Sequence, residues 1–169
     1  MRRLAIFTLL LIELSWASAS GAQPAAAEPE SETAVCTFGD GQQLSVRYRP
    51  IATRGAAPPA GKAWMPGGSA VTLFAETEVT LGSTSIPTGA YTMYFIPGKK
   101  EWTLIVSRNV KVESPYDEKQ DLARASMETG ALSQPQERLK IFFGRTGPKQ
   151  CEINVDYGKT RAWVVLKQK

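Results

Sequence analysis

The chain has 169 residues, 20 of them Lys or Arg and 16 Asp or Glu, giving a net charge of +4, with two cysteines and no histidine. That length suits one domain with a single core, and charges of both signs scattered along it lack the concentrated basic footprint that nucleic-acid binding needs. Without histidine, the Ser-His-Asp and Cys-His nucleophile systems, histidine zinc sites and a histidine general base are all excluded.

The chain opens Met1-Arg2-Arg3, runs through an apolar stretch over residues 4–12, and reaches Ala17-Ser18-Ala19 and Ser20-Gly21-Ala22. A basic start, a short apolar middle and small-residue cleavage sites predict a secretory signal peptide over residues 1–22, cut after Ala19 or Ala22. The apolar run is shorter than the roughly 20 residues of a membrane span, and Glu13 interrupts it. The mature product is therefore expected to be exported without a membrane span, to the periplasm or the cell exterior. Losing Arg2, Arg3 and Glu13 takes the charge from +4 to about +3, enough for weak attraction to anionic envelope polymers and no more. Residues 23–34 carry no large apolar side chain and read as a flexible leader, because nothing in them offsets the entropy of ordering. The rest, residues 35–169, is expected to form one β-sandwich domain.

Residues 35–38 and 43–49, joined by Gly39-Asp40-Gly41, predict a first hairpin, with Leu44, Val46 and Tyr48 on its dry face. Residues 50–69 are rich in Pro, Gly and Ala and read as one long loop, in which Trp64 is expected to be exposed. Short strands over residues 70–75 and 79–81 precede a central hairpin that runs out over 90–96, turns at Pro97-Gly98-Lys99-Lys100 and returns over 102–107. Tyr91, Met93 and Phe95 share one face of the outgoing strand, as Trp102, Leu104 and Val106 share one face of the return. Tyr94 and Ile96 make the opposite face of the outgoing strand apolar as well, the pattern of a strand in mid-sheet with something packed on each side. Residues 109–113 extend or follow the return strand, Ser114-Pro115 breaks it, and residues 116–120 are expected to make a helical turn. Strands follow at 122–128, 138–143, 151–157 and 160–166, with Gly158-Lys159 as the turn between the last two. About ten short strands, with one helical turn at most, predict an all-β fold, an antiparallel sandwich of jelly-roll type.

Cys36 and Cys151 are an even pair in an oxidising compartment, which predicts a disulfide; two separate buried thiols are the alternative. Bridged, they leave no thiolate for attack or metal binding. Carboxylates remain for acid–base work. Asp117, Glu118 and Asp121 gather in one short segment, while Glu128, Glu137 and Asp156 lie elsewhere, and glycoside cleavage would need two of them facing one cleft. The plainer reading of the segment is a solvated loop. It also offers several oxygens to calcium, though not at the spacing of a known loop ligand set. Trp64, Tyr91, Tyr94, Trp102 and Trp163 are candidates for a sugar-stacking platform, although most rings in so small a domain belong to the core. The glycine-rich loop after Trp64 lacks the Gly-Lys-Ser/Thr ending of a phosphate loop. The binding candidates are accordingly Trp64, Tyr94, Asp117 and Asp121; no catalytic residue, metal ligand or cofactor is assigned.

Several stretches in order, Cys36-Thr37-Phe38-x-Asp40-Gly41, Val46-x-Tyr48, Trp64-x-x-Gly67, Val79-Thr80-x-Gly82, Ile86-Pro87-x-Gly89-x-Tyr91, Ile96-Pro97 and Trp102-Thr103-Leu104-Ile105, resemble an exported bacterial family known as domain of unknown function 2911. The likeness continues through Tyr116-Asp117, Asp121-Leu122-x-Arg124, Pro135-x-Glu137 and Cys151 to Thr160-Arg161-Ala162. It covers nearly the whole domain and implies an exported all-β fold with paired cysteines; it implies no reaction. Where such proteins carry Trp-Arg-x-Gly-Ala-Asn-Glu, this chain has Trp64-Met65-Pro66-Gly67-Gly68-Ser69-Ala70. Three polar groups are thereby replaced by Met65, Ser69 and Ala70, which lowers the expectation of an enzyme.

The reading that follows is a non-catalytic module that binds a small molecule, glycan or envelope component. Two others stand beside it: a carboxylate-dependent hydrolase of envelope carbohydrate using Asp117, Asp121 or Glu137, and a structural accessory protein acting through its edge strands.

Overall fold

The structure, a computed structural model, describes residues 31–111 and 115–169. The expected signal peptide, residues 23–30 of the expected leader and residues 112–114 lie outside the described residues. Nine strands are present among those described: β1 (Glu32–Thr37), β2 (Gln43–Tyr48), β3 (Val71–Ala75), β4 (Val79–Leu81), β5 (Thr84–Ile86), β6 (Gly89–Ile96), β7 (Trp102–Ser107), β8 (Asp121–Gly147) and β9 (Gln150–Gln168). They form one antiparallel sheet in the order β1-β2-β3-β6-β7-β8-β9-β4-β5, which is not closed. Two single 3-10 turns, Pro66–Gly68 and Glu118–Gln120, are the helical elements among the described residues, one more than expected.

β6 and β7 occupy mid-sheet, in the register Met93↔Val106, Tyr94↔Ile105 and Phe95↔Leu104. Tyr91, Met93, Phe95, Trp102, Leu104 and Val106 turn into one core shared with Leu44, Val46, Leu73, Ile153, Val155 and Leu166. Tyr94 and Ile105 are buried on the opposite face, where the Tyr116 ring packs on Tyr94 with centroids 5.0 Å apart. The two-faced apolar pattern of the central hairpin therefore has a physical match on each side.

β1 begins at Glu32, ahead of the expected domain boundary, because that residue already pairs with Tyr48 and its carboxylate accepts the Tyr48 hydroxyl at 2.7 Å. β5 was hidden in the approach to the central hairpin; it pairs with β4 through Val79↔Ile86.

The last third differs most from expectation. The strands expected at residues 122–128 and 138–143 are one strand of 27 residues, and those expected at 151–157 and 160–166 are one strand of 19. Gly158 is not in a hairpin turn. It sits opposite Gln136 in the ladder at φ 56°, a left-handed angle that glycine reaches without a Cβ penalty and that lets a strand bend without ending. On β8 the register slips between Ala131 and Gln136 and again between Gln136 and Lys140, so both strands of the ribbon bend at one level. The bent ribbon returns its tip to the far end of the domain. Pro148 accepts the Gly39 N–H at 2.7 Å, Lys149 accepts the Gln168 N–H at 2.8 Å, and the Cys36–Cys151 disulfide joins β1 to β9.

Candidate functional site

β8 changes partner part-way along. Asp121 to Met127 pair with β7, Met127 facing Trp102, whereas pairing with β9 starts at Glu128, opposite Trp163. On the far side β9 is taken up by β4 only from Leu166. Val164 and Val165 thus fall between two ladders, and the strands diverge from Trp163 like a fork. Backbone groups on the inner edges of a fork have no strand to pair with, so they are open to water or a ligand.

The fork holds a groove of about 530 Å³, walled by Arg124, Ala125, Ser126 and Glu128 of β8, Thr80 of β4 with Ser83 just after it, and Glu152, Trp163, Val164, Val165 and Lys167 of β9. Trp163 is half-buried. Its benzo edge covers Gly130, where a Cβ would stand 3.2 Å from the ring; the missing side chain lets the indole settle on the sheet.

Arg124 is held from behind. Its Nε donates to Asp121 Oδ2 at 2.7 Å and its Nη2 to the Tyr116 hydroxyl at 2.6 Å. Glu118 Oε1 lies 3.0 Å from the same Nη2, and the Tyr116 hydroxyl in turn donates to Asp121 Oδ2 at 2.7 Å. Asp121 is only 10% exposed, and its other oxygen, Oδ1, is buried with no partner among the described residues. Burial first, and then the hydrogen bond to Asp121, push the Tyr116 phenol up to about 12. Burial and the Asp121 charge raise Tyr94 as well. The Asp121 bond raises Arg124, whose positive charge is thereby fixed in place and in state.

Of the residues singled out from sequence, Tyr94 and Asp121 come together in this support, with Tyr116 between them. Asp117 caps the adjacent 3-10 turn by accepting the Lys119 N–H at 3.0 Å, and that turn carries Glu118 to Arg124. Trp64 stands apart and is not exposed. Its backbone exchanges hydrogen bonds with Phe95 at 2.7 and 2.9 Å, which turns the half-buried indole edge-on to Trp102 and Tyr157. Glu137 lines a separate cavity beside Thr53 and Arg54. Glu152, Lys167 and Thr80 were not anticipated, since only the fold brings them to the groove.

Among the described residues no group of three or more His, Cys, Asp or Glu could hold a metal ion, and Glu118 and Asp121 both turn to Arg124. No helix among them is long and apolar enough to cross a membrane. A model of the family described as protein of unknown function (DUF2911) matches residues 30–166. No curated protein matches the chain, and no solved structure does.

Proposed function

Since this chain belongs to the DUF2911 family of proteins of unknown function, we propose that it is an exported, non-catalytic binding domain whose ligand lies in the groove at the β8–β9 fork. The observation that carries this reading is the locked guanidinium of Arg124 on the groove wall. Fixing an exposed arginine with a buried carboxylate and a phenol costs side-chain entropy and desolvation; a donor held rigid in advance is what a binding site gains from it. Export is supported by the signal-peptide pattern and by the disulfide, a bond that persists in oxidising compartments.

Amide chemical-shift mapping tests it. Soluble envelope extracts, fractionated into peptides, lipids and saccharides, are titrated into the mature domain. Shifts concentrated at residues 124–128 and 163–167 are expected; shifts confined to another face, or none with any fraction, overturn the assignment.

One observation favours a hydrolytic reading, namely that Glu128 and Glu152 border the same groove. The carboxylates first considered for it, Asp117, Asp121 and Glu137, do not meet in one cleft. Release of reducing sugar from envelope polysaccharide that Glu128→Gln abolishes would establish this reading.

A further inference from the structure

We infer that the ligand of the fork groove is a neutral oligosaccharide, one pyranose ring of which rests on Trp163; this deepens the binding reading above and depends on it. Four features of the groove converge on that class. Its single ring, Trp163, is half-buried at the apex of the fork and settled on Gly130, a stable apolar surface of the size that the C–H face of a sugar covers. Its charges balance in sign, Arg124 and Lys167 against Glu128 and Glu152. A phosphate or a polyanion would meet two carboxylates there, and an isolated cation two basic groups. The lining adds the small hydroxyl side chains of Thr80, Ser83 and Ser126 to the apolar Ala125, Val164 and Val165, a mixture that suits a ligand with both C–H and O–H surface. Ser126 gives its proton to Glu101 at 2.6 Å, so its oxygen is left to accept. The groove thus offers both donors and acceptors beside one aromatic ring, which is the requirement of a ligand bearing a hydroxyl on nearly every carbon.

An extended peptide added to the open edge of β8 is the competing occupant, since unpaired strand edges invite one. It fits less well. Trp163 closes the fork where such a strand would have to continue, and four charged side chains, Arg124, Glu128, Glu152 and Lys167, stand where uncharged side chains of an added strand would lie.

The test is isothermal titration of the mature domain with cello-, xylo-, chito- and maltohexaose and with a library of uncharged decapeptides, alongside amide shift mapping. At least one oligosaccharide is expected to bind, moving signals at residues 124–128 and 163–167. Trp163→Ala should weaken it about tenfold or more, and Trp163→Phe much less. Glu128→Gln, at an exposed position, should weaken it with the melting temperature unchanged, which keeps the result readable if Trp163→Ala misfolds. Oligosaccharide binding that maps elsewhere or ignores both sites overturns the inference. Peptides moving the groove signals where saccharides do not overturns the ligand class and leaves the binding reading standing. Silence of the groove towards saccharides, peptides and all envelope fractions overturns both.

Discussion

Asp156 and Arg161 clasp each other across the bend in β9. Nε meets Oδ1 and Nη2 meets Oδ2, both at 2.7 Å. The carboxylate side chain is 2% exposed, the arginine 39%, and the guanidinium also lies 5.0 Å above the Phe142 ring. The pair spans Gly158, so it joins the two arms of one bent strand. A residue that alternation assigns to the wet face is thereby buried, with its charge matched by a two-pronged partner.

The two halves of that pair are not equivalent. Arg161→Ala leaves Asp156 buried without compensation and should cost about 3 kcal/mol, the low end for a broken buried pair because Arg161 is partly solvated. Asp156→Asn returns Arg161 to water and keeps an acceptor in place, so its cost should be roughly 1 to 2 kcal/mol. Urea unfolding of both variants measures the difference; equal losses, or a larger loss for Asp156→Asn, would refute this account of the bend.

The disulfide closes a separation of 115 residues between β1, at one edge of the sheet, and the returning tip of the ribbon. Cys36→Ala with Cys151→Ala should therefore lower stability by roughly 2 to 5 kcal/mol, chiefly by freeing the unfolded chain. Intact non-reducing mass should be lighter than the reduced form by the two thiol hydrogens. A urea midpoint unmoved by the double substitution would show that the hydrogen bonds at Gly39 and Gln168 hold the tip unaided.

High pH should loosen the domain through two phenols. Tyr48 is pushed up to about 12, mainly by burial and further by its bond to Glu32, against the opposing donation of the Ile141 N–H; Tyr116 rises to about 12 as well. An unfolded tyrosine ionises near 10, so between about pH 10 and 12 the unfolded chain has released protons that the native state still holds. The stability these phenols contribute is complete below pH 10 and drains away through that window. Tyr48→Phe should flatten the fall in urea midpoint over this range relative to the unmodified domain, and parallel curves would contradict the assignment. Lysines, which titrate nearby, are common to both proteins and cancel.

What the sequence disclosed and what it hid follow one division. Features set by neighbours in the chain could be read: the two-faced apolar pattern around Tyr94 and the Asp40-Gly41 hairpin; the disulfide, though distant, was legible because the chain holds only two cysteines. Other features set by a distant partner could not. Gly158 looks like a turn residue because a turn and a bend both use its positive φ; only the continued pairing beyond it, as far as Glu128↔Trp163, separates the two. Trp64 sits among Gly and Pro and suggests exposure, yet its backbone bridge to Phe95 carries the ring inward. The same division runs through the site. Tyr94 and Asp121 were recognisable as an aromatic ring and a carboxylate with potential work, but the groove they support exists because β8 leaves β9 for β7 at Met127, an event with no signature near that residue.

Asp121 ties the support to the groove, and Asp121→Asn tests the connection through three readouts. The neutral side chain keeps its shape but loses the charge that orders Arg124 and raises Tyr116. Because burial is the larger cause of the Tyr116 shift, its ionisation should move only part of the way from about 12 towards the ordinary value, which absorbance at the phenolate band would follow. Stability should fall by about 1 to 3 kcal/mol, as expected when a largely buried, charge-assisted network loses its charge. Groove ligands should bind more weakly, since Arg124 would then have to be ordered at the moment of binding. Arg124→Lys, which keeps the charge and loses the planar fork, should reproduce the binding loss while leaving Tyr116 high. If both variants bind as tightly as the unmodified domain while the tyrosine shift behaves as described, the buried network serves only to fasten the Tyr116 segment over Tyr94.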